Sequence, residues 1–373
     1  MGGLNLAITV DPLASQLGGI GRYTLELCRG LAHRADVSSL FYYRNGRWIS
    51  DPLALLDDVE IVRRDPSNPL ARLYEKWSNR RQREQTIFHG TNFFLPVEAR
   101  RGVITVHDLS VIRFPELHPA ARIRAYEKEF AGSVARANHI ITPTQVMREE
   151  VIDYLGCSPS RVSNVALAAS PHYRPRLARE IADDLANWNL QYASFGLSVA
   201  TIEPRKKLLE CLAAWEVLPR TIRDHFPLVI VGGDGWENRT IRDRIRSGVD
   251  EGWVRNLGYV SEDKLPILFA AAALVLYPSV YEGFGLPAVE AMASGVPVLV
   301  SGKSCLVEVT QGAAMMVDPD DTSEFARQIE QALTDESWRD AAAAAGIKVA
   351  ATYSWRRCVD RTVEIYHKVA SGN

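Results

Sequence analysis

The sequence predicts an α/β protein built from two doubly wound parallel-sheet domains. Three observations lead there. Short β-branched and aliphatic runs alternate with amphipathic stretches along the whole chain, the pattern of parallel strands joined by crossover helices. The alternation restarts at Ala193–Thr201, after a break at Ser170–Arg176 (SPHYRPR) that carries two prolines and no apolar periodicity. The 373 residues suit two cores of ordinary size better than one.

In the first half, strands are expected at Leu4–Val10, Ser38–Tyr43, Ile87–His89, Gly102–Val106 and His139–Thr142, with helical periodicity over Arg22–Ala32 and Ala120–Arg136. The second half places strands at Ala193–Thr201, Leu228–Val231, Val254–Leu257, Leu274–Tyr277, Val296–Val300 and Ala314–Val317. Helical patterns over Lys207–Leu218, Arg239–Ser247, Pro287–Ala293 and Ser323–Leu333 lie among them. The domains then run over residues 1–172 and 173–354, and a last helical stretch, within 355–373, is expected to pack back on the first domain. Open α/β sheets bind ligands beyond the C-terminal ends of their strands. Two such domains facing one another leave a cleft, and chemistry is to be sought there.

Composition excludes several classes. Lys plus Arg is 43 and Asp plus Glu 45, a net charge of −2, which argues against binding nucleic acid by bulk charge. Cys28, Cys157, Cys211, Cys305 and Cys358 include no CxxC pair, so neither a zinc knuckle nor a disulfide frame is indicated, and a reducing cytoplasm is the simplest setting. The opening MGGLNLAITVDP lacks the basic head and long apolar core of a signal peptide, and Leu6 stands where myristoylation needs Ser or Thr. The longest apolar stretch, Leu265–Tyr277, is interrupted by Pro266 and falls short of the roughly 20 residues a bilayer span requires.

The most informative stretch is LVLYPSVYEGFGLPAVEAMASGVPVLVS, which reads as strand, glycine loop, helix, stop and strand. Pro287 suits a first helical turn and Gly295 the position just past a helix end. Glu282 then sits in the loop at the strand end and Glu290 one turn into the helix. Gly283 and Gly285 allow a ligand to approach the backbone, and the helix N-terminus favours a phosphate. Taken alone, Glu290 could simply complement the helix dipole. The second stretch, ATIEPRKKLLECLAAW, puts Arg205 and Lys206 at another strand-to-helix turn, a fork and a point charge suited to a diphosphate.

In the first half, QLGGIGRYTLEL follows the opening strand, and Gly18, Gly19 and Gly21 suit close backbone approach to an anion although the run is not GxGxxG. GVITVHDLSV puts His107 and Asp108 at a strand end, where a histidine can bond a hydroxyl or move a proton. FHGTN, with His89 and Asn92, ends another strand, and a structural histidine is the competing reading at both places. There is no GxSxG elbow, no HExxH and no acidic cluster placed to hold a metal beside a phosphate. Between them, the stretch Arg63–Gln85 interleaves Arg63, Arg64, Arg72, Lys76, Arg80, Arg81 and Arg83 with Leu70, Leu73, Tyr74 and Trp77 at helical spacing. That face either packs on its own sheet or docks on an anionic membrane.

These residues together resemble one family. YEGFGLPAVEAMASGVPV is similar to the signature of retaining glycosyltransferase family 4, with two glutamates in the family's spacing. IEPRKKLLECLAAW, GGIGRYTLEL, TVHDLS, ITPTQVMREEV, GYVSEDKLPILFAAAALVLYPS and the final YSWRR are similar to family segments in the family's order. The resemblance implies a GT-B fold, with the nucleotide-sugar donor held mainly by the second domain and the acceptor by the first. It implies that Arg205 and Lys206 hold the donor diphosphate, that Glu282 grips hydroxyls of the donor sugar, and that Glu290 bonds the ribose. Gly19, Phe284, Gly285, Leu286 and Tyr259 fall among donor-binding segments, with the backbone around Phe284–Leu286 meeting sugar or phosphate. His107 is implied near the sugar and the acceptor, with Asp108 beside it. No metal is implied at the catalytic step.

Two departures stand out: Thr201 and Ala200 replace an Arg after a Gly found in many relatives, and Lys207 replaces a frequent Asn. The EPRK form is similar to bacterial mannosyltransferases of O-antigen and exopolysaccharide assembly, which implies GDP-mannose as donor and a saccharide or polyprenyl-linked acceptor. A UDP-hexose or deoxysugar nucleotide, or a GT-B epimerase, remains open at this point. A cytoplasmic protein touching the inner face of the membrane would fit such an acceptor.

Overall fold

A computed structural model describes residues 3–62, 85–233, 235 and 239–372. The basic-aromatic stretch lies outside the described residues except for Gln85. The chain divides into two compact units, one of Met1–Leu109, Ala120–Leu167 and Trp355–Asn373, the other of Ser110–Pro119 and Ala168–Ser354. The division falls at Leu167 rather than at residue 172. It also groups Ser110–Pro119 with the second unit, where the Phe114 ring meets Tyr281 edge-on at 5.2 Å between centroids.

The first unit is organised on a sheet of strands β1 (Leu4–Thr9), β2 (Val37–Arg44), β3 (Arg47–Ile49), β4 (Ile87–Gly90), β5 (Arg101–Thr105), β6 (Ala137–Thr142) and β7 (Val162–Asn164). Their order is β3-β2-β1-β4-β5-β6-β7, parallel throughout except at the β2–β3 hairpin. Asn45 and Gly46 close that hairpin with φ of 46° and 82°, the left-handed pair that matches strand twist. Leu6, Ala7, Ile8, Val103, Ile104, Ile140 and Ile141 are buried in unbroken runs, because a parallel sheet is covered on both faces. The covering helices include α1 (Gly19–Ala32), α2 (Ala120–Arg136) and α3 (Gln145–Leu155). The strand order reverses between β1 and β4, which opens a crevice at their C-terminal ends.

The terminal helix, Trp355–Ser371, belongs to this unit and packs on α1, β1, β4 and β6. It buries Cys358, Val359, Val363 and Tyr366. Arg34 anchors it through an ion pair with Asp360. Deeper in, the Tyr366 hydroxyl lies 2.6 Å from His89 Nδ1, while His89 Nε2 lies 2.8 Å from the Thr105 hydroxyl. The Tyr23 hydroxyl meets the same Thr105 oxygen at 2.8 Å. Both nitrogens of His89 are therefore occupied by the framework, which makes it the structural histidine of the FHGTN stretch.

The second unit carries β8 (Gly196–Val199), β9 (Leu228–Val231), β10 (Val254–Gly258), β11 (Leu274–Tyr277), β12 (Val298–Ser301) and β13 (Met315–Val317), all parallel, in the order β10-β9-β8-β11-β12-β13. This is the Rossmann order, with its reversal between β8 and β11. Helices α4 (Leu208–Glu216), α5 (Arg239–Asp250), α6 (Leu265–Ala271), α7 (Leu286–Ala293), α8 (Thr322–Thr334) and α9 (Glu336–Ala350) lie along it. Trp215, Leu212, Leu228, Leu274, Leu276, Phe325 and Ile329 share one core beneath α4 and α8. The apolar stretch Leu265–Tyr277 resolves into the wholly buried α6 and the core strand β11. Among the described residues no helix is long and apolar enough to cross a membrane.

Burial, reinforced by neighbouring His107, holds the His89 pKa down to about 3. In the unfolded chain a histidine titrates near 6.5, so between these values the unfolded state binds the extra proton. The stability this neutral ring contributes is therefore complete above about pH 6.5 and is lost as the pH falls toward 3. Urea unfolding across pH 4–7 should show stability falling with acidification, with up to about 1.4 kcal/mol per pH unit from this group. His89→Asn should flatten that slope by about one proton, and an unaltered slope would contradict the assignment.

Candidate active site

The two loops that leave the sheet at the second unit's switch point bring together two acidic and two basic side chains, Glu203, Arg205, Lys206 and Glu282. After β8 the chain passes through Glu203 into a single 3-10 turn, Pro204–Lys206, before α4 begins at Leu208. Arg205 and Lys206 thus belong to a tight turn ahead of the helix. After β11, Ser279, Tyr281 and Glu282 lead to the glycine loop and α7. Because β8 and β11 are neighbours, the two loops meet.

One carboxylate oxygen organises the meeting. Glu282 Oε1 lies 2.5 Å from Lys206 Nζ and 3.3 Å from an Arg205 guanidinium nitrogen. Arg205 also binds Glu203 at 2.6 Å and donates to the Tyr281 carbonyl. Lys206 donates in addition to the Tyr277 hydroxyl at 3.3 Å. Glu203 is 3% exposed and Glu282 8%, so both carboxylates are largely desolvated, while the Arg205 and Lys206 side chains keep 10% and 11% exposure. Burial alone would raise the Glu282 carboxyl, but Lys206 and Arg205, with hydrogen bonds from Lys206 and Ser279, hold it down to about 2. The Cys305 thiol donates to the Glu282 carbonyl at 3.0 Å and fixes its backbone.

Beyond Glu282 the chain turns into α7 through Gly285, whose φ is 91°. A Cβ there would stand 2.3 Å from Leu306 Cδ2, so both conformation and space require glycine. The helix has no side-chain cap, which leaves its first turn to an outside acceptor. Phe284 is buried with its ring against Tyr353 at 5.4 Å, so its side chain serves packing and its backbone faces the loop's task. Glu290 lies in α7 and is 2% exposed. Tyr259, 41% exposed, follows Gly258 at the end of β10. It lines a cavity of about 660 Å³ with Ile202, Gly232, Gly233 and arginines of α5 and β10, a size that suits a small-molecule ligand. Ile202 joins this cavity to the charged turn, being the residue before Glu203.

The first unit holds the other expected residues. His107 follows β5, is 6% exposed, and donates from Nε2 to the Thr91 carbonyl at 2.8 Å. Burial lowers its pKa, against opposing effects of that bond and of Asp108. The ring is thus neutral, with Nδ1 as the proton-free nitrogen, and Tyr23 packs edge-on against it at 5.1 Å. Gly19 is the first residue of α1 and Gly18 its N-cap, so the glycine run starts the helix rather than forming a loop ahead of it. Among the described residues no three His, Cys, Asp or Glu side chains gather as metal ligands would.

Sequence reasoning missed Glu203, Ser279, Tyr277, Cys305 and the Gly232–Gly233 turn. Glu203 was visible in EPRK, and its role follows only once Arg205 is known to need a partner. Lys207, the residue that departs from a frequent Asn, has φ of 55°, the left-handed conformation that Asn tolerates well. Its ammonium binds Glu210 at 2.7 Å and Asp320 at 2.8 Å instead of facing the cluster.

Residues 193–349 match the family model for glycosyl transferases group 1, and residues 17–165 match that for glycosyltransferase family 4. The chain is similar to O-antigen chain mannosyltransferase B of Escherichia coli, 35% identical over 381 residues that cover 97% of this chain and 99% of that one. The chain belongs to this glycosyltransferase family. The glycosyltransferase is also similar to the serotype-specific mannosyltransferase WbdA of Escherichia coli, 30% identical over 234 residues, 61% of this chain and 28% of that longer protein. Its fold is GT-B. WaaG, a glycosyltransferase of lipopolysaccharide biosynthesis, superposes with a TM-score of 0.72 at 17% identity, covering 97% of this chain and 99% of its own. HepE of Anabaena, solved with UDP-glucose, gives 0.74 at 17% identity over 98% and 100%.

Lys206→Met should leave Glu282 buried with one cation fewer and cost about 3 kcal/mol in urea unfolding at pH 7. The carboxyl's folded pKa lies below its unfolded value near 4.5, so the wild-type contribution is complete above that pH and lost as pH falls toward 2. Adding Glu282→Gln to Lys206→Met should restore 1–2 kcal/mol, roughly, by removing the stranded charge. Additive losses in the double variant would show that the two side chains do not share the pocket.

Proposed function

We propose that this glycosyltransferase moves mannose from GDP-mannose, with retention of anomeric configuration, onto a saccharide or lipid-linked saccharide of a bacterial surface polysaccharide. The observation that carries the reading is the Arg205–Lys206 pair at the switch point, with side chains 10% and 11% exposed, two cations where a diphosphate would leave. The names of the similar mannosyltransferases of O-antigen synthesis support mannose as the sugar.

Arg205 and Lys206 bind the two phosphates, and Glu282, released from part of its ion pairing, accepts hydrogen bonds from the mannose hydroxyls. The uncapped start of α7 supplies backbone N–H donors around Gly285 and Leu286. Glu290 accepts from the ribose hydroxyls, and the cavity beside Tyr259 takes the base. In the first unit, His107 and Asp108 meet the acceptor. The bond between the anomeric carbon and the phosphate oxygen breaks with its electron pair going to that oxygen. The acceptor hydroxyl attacks from the same face, and its proton passes to the departing phosphate oxygen. Cations on the leaving group stabilise the negative charge that grows there. They do this as fixed protein charges, so the transfer step needs no metal ion.

Thermal shifts with GDP, UDP, dTDP, CMP and GDP-mannose test the donor. Saturation at a hundred times the dissociation constant should add about 2.7 kcal/mol of stability. A shift confined to GDP species, and reduced in Glu290→Gln, is the expected result. A UDP-selective shift would replace GDP-mannose with a UDP-hexose, and no shift with any nucleotide would remove the nucleotide-sugar reading. Arg205→Lys should lower kcat about 100-fold or more, because a point charge replaces a two-pronged donor. Turnover of the wild type in EDTA should match turnover in magnesium.

A further inference from the structure

The turn that carries Arg205 and Lys206 ends in an unfavourable residue. The Lys206 N–H donates to the Glu203 carbonyl at 3.1 Å and the Lys207 N–H to the Pro204 carbonyl at 3.0 Å, which closes the 3-10 turn. Lys207 then leaves it with φ of 55° and ψ of 34°, in the left-handed region, and its own carbonyl accepts the Cys211 N–H at 3.0 Å as α4 begins. This single residue breaks the helical path, so that the turn stands off from α4 as a bend of its own. A residue with a Cβ is disfavoured in that conformation, and lysine lacks the short polar side chain that lets Asn adopt it. Lys207 is also the N-cap of α4, where the helix dipole disfavours a cation.

The compensation lies at the far end of the side chain. Lys207 Nζ meets Glu210 in the first turn of α4 and Asp320 Oδ1 at 2.8 Å. Asp320 belongs to the loop between β13 and α8, 113 positions further along the chain. Its other oxygen, Oδ2, accepts from Lys303 Nζ at 2.8 Å, and the same ammonium lies 2.7 Å from Asp318. The Asp320 N–H donates to the Asp318 carboxylate at 3.1 Å, so the anchor is held through side chain and backbone alike. Asp321 caps α8 directly after it, and α8 packs on α4. Burial would lower the Lys207 pKa, yet the bonds to Asp320 and Glu210 raise it.

The turn is therefore fastened twice, inside the cluster by Lys206 on Glu282 and outside it by Lys207 on Asp320. On the proposed function the inner fastening loosens when a diphosphate takes Lys206, and the outer one stays. We infer that Asp320, acting through Lys207, is a positioning residue that holds the Arg205–Lys206 turn while those two side chains bind phosphate. The inference rests on the proposed function for its diphosphate. An exposed ion pair contributes little by attraction alone. This one matters because it selects a backbone conformation that lysine does not favour by itself. Charge alone predicts the opposite sign, since removing a carboxylate near an anion site favours the anion.

Hydrogen exchange over residues 203–208 of the ligand-free full chain, and calorimetry with inorganic pyrophosphate and GDP as probes, test the two parts of this. Asp320→Ala should speed exchange at the Lys206 and Lys207 amides about fivefold and weaken binding of both probes about fivefold. In chains already carrying Lys207→Asn or Lys207→Gly, residues at ease with positive φ, the same change at Asp320 should alter each quantity by less than about twofold. Lys207→Ala, which keeps the conformational cost and loses the tether, should behave like Asp320→Ala. Tighter probe binding in Asp320→Ala, unaltered exchange, or an equal loss in every background would each overturn the inference. A wild type that binds neither probe would remove the diphosphate reading instead, with the exchange cycle still deciding whether Asp320 holds the turn.

Discussion

The second unit depends on one carboxylate shared by two cations. An ion as deeply buried as Glu282 survives only with partners, since desolvation costs several kcal/mol. Those partners come from the turn after β8, while Glu282 comes from the loop after β11. The pair can exist only because the Rossmann order makes these strands neighbours and sends their helices to opposite faces. Glu203 closes the arrangement by holding the far side of Arg205, so the guanidinium has one orientation. Gly285 then lets the chain turn directly from Glu282 into α7, placing a helix start beside the two cations.

The first unit solves a different problem with uncharged groups. Tyr366, His89, Thr105 and Tyr23 form a continuous buried chain from the terminal helix to α1. Tyr23 in turn packs on His107. The last helix of the chain thereby steadies the ring at the end of β5, although some 260 residues separate them in sequence. A histidine in such a network is useful because it can donate from one nitrogen and accept at the other. Protonation would break that division, and burial suppresses protonation.

Much of this was legible in the sequence, and the limits have physical causes. The strands of the two cores declared themselves because parallel strands are apolar on both faces, and Leu228–Val231 and Leu274–Tyr277 fall where expected. The edge strands β3 and β7 did not, being three residues each and only partly buried, although Asn45-Gly46 is a strong hairpin signal. Helix α9 was overlooked because its alanine-rich sequence has little periodicity, yet Gly346 lets it pack closely on Met292 of α7. At the site, Arg205, Lys206, Glu282 and Glu290 stood out by residue type and position. Glu203 and Cys305 did not, since their importance lies in what they touch.

The free site is electrically balanced, with Glu203 and Glu282 against Arg205 and Lys206. On the proposed reading this balance bears directly on catalysis. A pocket holding two uncompensated cations would bind a nucleotide diphosphate tightly whether or not it still carried its sugar. That binding would be uniform and would not lower the barrier to transfer. A balanced pocket has to loosen Glu282 from Lys206 before it can grip the phosphates, which offsets part of the ground-state attraction. As the glycosidic bond breaks, another negative charge gathers on the leaving oxygen, and the same two cations then meet a stronger partner than the carboxylate they released. The interaction is greatest where charge has developed most, and Glu282, freed to accept from sugar hydroxyls, is occupied only while a donor sugar is present.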